Sequence, residues 1–148
     1  MTIVTLDGAN VEILEEVGKD NIFIFGLTAE EVEQRRPFSS PFDVYHADDE
    51  IRRAVQLIER DFFNMMEPGI FRPVTRSLLE GGDYYMHLAD LRDYILTQER
   101  VDAAYEDPHA WDRMAIINVA RAGKFSSDRA IQQYASEIWR VGPCAIAP

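Results

Sequence analysis

Cysteine is nearly missing from this sequence, with Cys144 the single one in 148 residues. It cannot form an internal disulfide, and no CxxC or Cys/His spacing offers a zinc site. Lysine is almost as scarce, since Lys19 and Lys124 are the only two. No apolar run approaches the roughly 18 residues of a membrane-spanning helix, and no signal peptide precedes the first apolar stretch. Positive charge is in deficit as well: the formal net charge is -11. Arg35-Arg36 and Arg52-Arg53 are the nearest basic clusters, each flanked by acids. Such a surface repels phosphate backbones and anionic lipids, which points away from nucleic acid and membrane partners. A reducing, cytoplasmic setting fits these absences best.

What is present is ordinary globular material, 47% hydrophobic and 28% charged, in a length that suits one domain. Ile3-Val4-Thr5-Leu6 reads as a strand from Thr2 to Leu6, Asp7-Gly8-Ala9-Asn10 as a sharp turn, and Val11, Ile13, Leu14 and Val17 as a helix face. Ile22-Phe23-Ile24-Phe25, closed by Gly26, has the unbroken apolar character of a parallel strand covered on both faces. Residues 1–27 therefore form a βαβ unit, and residues 28–148 a helical part. Opening on a buried strand suggests that Met1 is a start inside a larger fold.

The helical part begins with a capping box, Thr28 and Glu31, in a helix that Pro37 ends. Pro37 to Ala47 reads as a surface loop pinned by Phe38, Phe42 and Tyr45. Ile51, Ala54, Val55, Ile58 and Phe62 mark one face of the next helix, followed by helices over Pro73 to Glu80 and Leu88 to Tyr105. The segment Trp111 to Ala122 is apolar nearly all round and is expected to be buried. Trp111, Met114 and Ile117, with Ile131, Tyr134 and Ile138 of a last helix capped by Ser126 or Ser127, are expected to form the centre of the helical core.

No catalytic constellation emerges from the residues. Asp7 at a strand end resembles the nucleophile of phosphoaspartyl enzymes, but Ala9 stands where their second Asp is required. The simpler reading is that Asp7 or Asn10 caps the first helix while Gly8 takes the turn. "AGKFSSD" offers a Gly-Lys, yet Asn118 occupies the place of the first glycine of a phosphate loop and Phe125 that of its hydroxyl residue. Lys124 is then a cation at a helix C-terminus. His46, His87 and His109 lie in separate segments without ligand spacing, so each reads as a surface or interface residue. Glu15-Glu16, Glu30-Glu31 and Asp48-Asp49-Glu50 read as solvated charge. Catalytic, cofactor-binding and metal residues are accordingly assigned to none.

Taken together, "TLDGANVEILEEVG", "NIFIFGLTAEEV" and "QERVDAAYEDPHAWDRMAIINVARAGKFSSDRAIQQYASEIWRV" are similar to the C-terminal end of α-glucan phosphorylases, the glycogen, starch and maltodextrin phosphorylase family. The resemblance covers nearly the whole chain and is least distinctive from Pro37 to Tyr85. It implies an α/β, predominantly helical fold, with about two parallel strands and six to seven helices, the C-terminal fragment of a Rossmann-like glycosyltransferase domain of GT-B type. It also implies a parent enzyme that uses pyridoxal phosphate to transfer glucosyl units from α-1,4-glucan ends to phosphate. The family's cofactor lysine sits in a Gly-Asn-Met-Lys motif, which this sequence does not contain. An inactive fragment without bound cofactor is therefore expected, associating as a homo-oligomer. The competing expectation is a non-catalytic helical interaction module.

Overall fold

The computed structural model describes residues 1–142 and residue 144. Strand β1 (Ile3–Thr5), helix α1 (Ala9–Val17), a 3-10 turn (Lys19–Asn21) and strand β2 (Phe23–Phe25) come first. The strands pair in parallel, with Ile3 opposite Phe23, Val4 opposite Ile24 and Thr5 opposite Phe25. A parallel pair needs a crossover between its strands, and α1 supplies it. Gly8 takes the turn as expected, at φ 49°, but neither Asp7 nor Asn10 caps α1, whose start carries no side-chain cap. Asn10 Nδ2 instead donates back to Thr5 O at 3.0 Å and to Asp7 Oδ1 at 3.3 Å, stitching the helix to the strand exit.

Helix α2 (Ala29–Arg35) has the expected capping box, with Thr28 and Glu31 each receiving the other's backbone N–H. The segment read as a loop contains helix α3 (Pro41–Ala47). Pro41 opens it at a position where the missing N–H costs nothing and the fixed φ is already helical. Phe38 and Phe42 are exposed, and of the three aromatics expected to pin this segment only Tyr45 packs on the core.

Helix α4 (Asp49–Glu59) is followed by α5 (Arg72–Leu78), α6 (His87–Tyr105) and α7 (Pro108–Arg121). A 3-10 turn (Ala122–Phe125) leads to α8 (Ser127–Gln133), which continues as a π-helical turn (Tyr134–Trp139). Phe62 lies beyond the end of α4 and is exposed, because the left-handed Asp61 (φ 55°) breaks the helical path before it. Ser126 stands at the α8 N-cap position without a side-chain bond.

The buried centre is Ile51 and Val55 of α4 with Leu88 of α6, surrounded by half-buried Val44, Tyr45, Leu78, Leu79 and Leu91. The core expected around Trp111 is not there. No residue of α7 is fully buried, and Ile116 and Val119 are 67% and 77% exposed. Helix α7 lies against α6, α1 and the Lys19–Asn21 and Ala122–Phe125 turns, which leaves Ile116 and Val119 uncovered among the described residues. Ile131, Tyr134 and Ile138 are exposed as well, since α8 packs chiefly on its own π-helical continuation and on the short turn that precedes it.

Polar contacts join the elements where apolar ones are few. Asp48 caps α4 through the N–H groups of Glu50 and Ile51 and also receives Arg92 of α6, whose Nη2 lies 2.6 Å from Asp48 Oδ2 and whose Nη1 lies 2.7 Å from Glu50 Oε2. The Arg92 guanidinium, aided by the capped N–H groups, holds the Asp48 carboxyl below its ordinary pKa. A carboxyl whose pKa is lowered by folding contributes stability above the ordinary Asp range, and that contribution is lost as pH falls through the lowered value. Arg92→Leu should therefore reduce stability at neutral pH and flatten its fall below about pH 4. Denaturation midpoints measured across the acid range check this; an unchanged slope would contradict it.

Candidate functional site

Because β1 and β2 run parallel, their carboxyl ends open on the same side. In open α/β sheets ligands gather outside that edge. A cavity of about 680 Å³ lies there, walled by Thr5 and Asp7 after β1, Phe25 and Leu27 at the end of β2, Arg36 beyond α2, and Tyr94 of α6. Phe25 and Tyr94 meet edge to face, with ring centroids 5.0 Å apart. Arg36 places its guanidinium 4.3 Å from the centre of the Tyr84 ring.

The exit of β2 is held by acids. Gly26 N–H donates to Asp93 Oδ2 at 2.7 Å, Leu27 N–H to Asp90 Oδ1 at 2.8 Å, and Thr28 N–H to Glu31 Oε2 at 2.8 Å. Asp90 and Asp93 are one turn apart on α6 and so share a face. Burial pushes the Asp90 carboxyl above its ordinary pKa; the Leu27 N–H opposes the rise, Asp83 and Asp93 add to it, and His87 opposes it again. Asp83 itself is buried and uses both oxygens to receive the first N–H groups of α6, from His87 at 2.9 Å and Leu88 at 2.7 Å.

Of the residues singled out in the sequence, Asp7 and His87 border this cavity. His46, His87 and His109 are all exposed. His46 and His109 lie on α3 and α7, away from the cavity wall. Among the described residues no group of three His, Cys, Asp or Glu side chains is placed to hold a metal ion, and no helix is long and apolar enough to cross a membrane. Lys124 lies in the last turn of the 3-10 segment after α7, as expected, and is paired there: its Nζ is 2.8 Å from Glu16 Oε1, while Arg121 Nη1 donates to Glu16 O at 2.9 Å. Asn118, which spoiled the phosphate-loop pattern, ties α7 to the turn before β2 by donating to Asn21 O at 2.7 Å. Asp90, Asp93 and Tyr94 were missed by sequence reasoning. Their only mark is a carboxylate spacing indistinguishable from that of a solvated helix face.

The cavity at a strand edge is a placement shared by many unrelated folds; sequence comparison is more specific. The family model described as carbohydrate phosphorylase matches residues 1–141. The chain belongs to the carbohydrate phosphorylase family. A glycogen phosphorylase of Synechocystis sp. is 48% identical over 147 residues, 99% of this chain and 17% of that protein. The Chlamydia pneumoniae glycogen phosphorylase is 43% identical over 95% of this chain, again 17% of its own length. The muscle form of glycogen phosphorylase from Homo sapiens is 43% identical over 97% of the chain and 17% of its length. This phosphorylase chain thus spans about a sixth of the relatives it matches. The α-glucan phosphorylase resemblance read from the three sequence blocks is confirmed at family level.

Proposed function

We propose that this chain is the C-terminal part of an α-glucan phosphorylase and contributes one wall of that enzyme's active-site cleft. The whole polypeptide would transfer glucosyl units from α-1,4-glucan ends to phosphate, giving glucose 1-phosphate. The observation that carries the reading is the match of 95–99% of this chain to proteins named glycogen phosphorylase. The parallel β1–α1–β2 unit with its cavity at the carboxyl edge is compatible with the end of a Rossmann-like domain of GT-B type.

Pyridoxal phosphate, the cofactor of the proposed parent, would require a lysine for its covalent attachment. Lys19 is exposed on the Lys19–Asn21 turn and Lys124 is engaged with Glu16; neither borders the cavity. The residues present do not fit that anchor, and no chemical step through the cofactor is assigned to this chain. Its own contribution is shape: Asp7-Gly8-Ala9-Asn10 turns the chain at the cavity rim, Phe25 and Tyr94 form an apolar wall, and Arg36 supplies the positive charge.

The test is replacement. Residues 1–141 substituted for the matching segment of the Synechocystis enzyme should give a folded protein that releases glucose 1-phosphate from glycogen within about tenfold of the unmodified rate. The chain by itself should release none. A folded chimera without turnover would overturn the reading.

A further inference from the structure

We propose that Asp90 and Asp93 are positioning residues, a pair of carboxylates that clamps the exit of β2 and fixes the wall of the cavity. The proposal rests on the phosphorylase reading for its functional consequence, and on the geometry for the clamp itself. The two acids reach back across 63 and 67 residues of sequence to take consecutive backbone N–H groups, those of Leu27 and Gly26, at 2.8 and 2.7 Å. Short bonds from N–H to an ionised oxygen are about twice as strong as neutral ones. No strand in the described residues takes these two groups, which leave the β1–β2 ladder at Phe25. Fixing Leu27 also fixes Phe25 before it, and with it the edge-to-face contact to Tyr94.

The arrangement is an expensive one for mere stability. Asp90 is desolvated and faces Asp83 and Asp93, so its charged form is disfavoured where it stands. His87 on the same helix acts on that charge in the opposite sense, while Asp7 after β1, and Glu33 and Arg36 from the α2 side, share the cavity wall with Asp90. An uncharged acceptor at Asp90 would bond Leu27 without the repulsion. Gly26 completes the fit: a Cβ there would stand 2.8 Å from the Asp90 carboxyl carbon, so the carboxylate sits where any side chain at position 26 would be. The clamp thus depends on both partners, Gly26 giving room and α6 giving the acceptors.

Two measurements test it. In the 148-residue chain, Asp90→Ala should speed amide exchange of Leu27 by about tenfold or more, and Asp93→Ala that of Gly26, while Phe23, which donates to Thr2 O within the sheet, keeps its protection. Asp90→Asn, which keeps an oxygen acceptor and loses the charge, should restore Leu27 to within about threefold. In the phosphorylase polypeptide that contains this segment, Asp90→Ala should lower kcat by about tenfold or more with KM for glucan nearly unchanged, and Asp90→Asn should recover most of the loss. Unchanged Leu27 exchange in Asp90→Ala overturns the clamp. Faster exchange with unaltered kcat, or equal loss of kcat in Ala and Asn variants, overturns the positioning role. If the unaltered polypeptide shows no phosphorolysis, the functional reading fails while exchange still decides the clamp.

Discussion

Ile51→Ala should lower the free energy of unfolding by about 2–5 kcal/mol, the range for truncating a large aliphatic side chain in a packed core. Ile51 is only 1% exposed and lies at the centre of the small cluster with Val55 and Leu88. Its backbone is fixed too, because its N–H is one of the two that Asp48 receives at the start of α4. A neighbourhood held from both sides cannot collapse into the cavity that alanine leaves. Trp111→Ala should cost less despite removing more atoms, since Trp111 is only half-buried, meeting Tyr105 edge to face. Urea denaturation of the two variants decides the order. An Ile51→Ala loss below about 1 kcal/mol would place the stabilising core elsewhere.

Gly26→Ala should be the most damaging change near the cavity. Gly26 has φ 82°, and the new Cβ would lie 2.8 Å from both Cγ and Oδ2 of Asp90. The left-handed backbone alone costs an alanine about 1–2 kcal/mol. Asp90 would also have to turn away, which surrenders the bond to Leu27 N–H, worth about 1.5–3 kcal/mol as a hydrogen bond to a charged group. Together these give about 2.5–5 kcal/mol, enough to approach the whole stability of a marginal domain. Gly8→Ala is the control: its φ is also positive, at 49°, but nothing lies within 4 Å of the added atom. It should show the backbone cost alone. Thermal melts of both variants test this, and equal losses would mean that Asp90 moves aside freely.

The βαβ unit was legible because its signals are local. An apolar run, a glycine at a turn and a capping box each act within a few residues, and β1, β2 and α2 stand where those signals put them. Helix α3 was illegible because Pro37 and Ser39-Ser40-Pro41 carry loop chemistry, and the same Pro41 also suits the first turn of a helix. The misplaced core has a different cause. Apolar composition around the whole of α7 says that the helix can be covered, and it does not say what covers it; here Ile116 and Val119 are left uncovered among the described residues. The cavity wall was hidden for a third reason. Asp90 and Asp93 acquire their meaning only from Gly26 and Leu27, and no spacing rule links a helix to a turn more than sixty residues earlier.

Helix α6 touches β2, α3, α4 and α7, and through Arg92, Asp90 and Asp93 it makes ionic or charge-assisted contacts to the start of α4 and to the exit of β2. The βαβ unit is contiguous in sequence, but the groups that complete it arrive late. A two-stranded sheet with three residues in each strand has little to hold it before then. Folding must therefore close a long chain loop before the first strands are secured, and loop closure of that kind slows the search more than it weakens the product. During synthesis the opening strands would remain uncommitted until α6 has left the ribosome. Within this segment the order of synthesis and the order of structuring are thus different, with β1 and β2 made before α6 and settled after it.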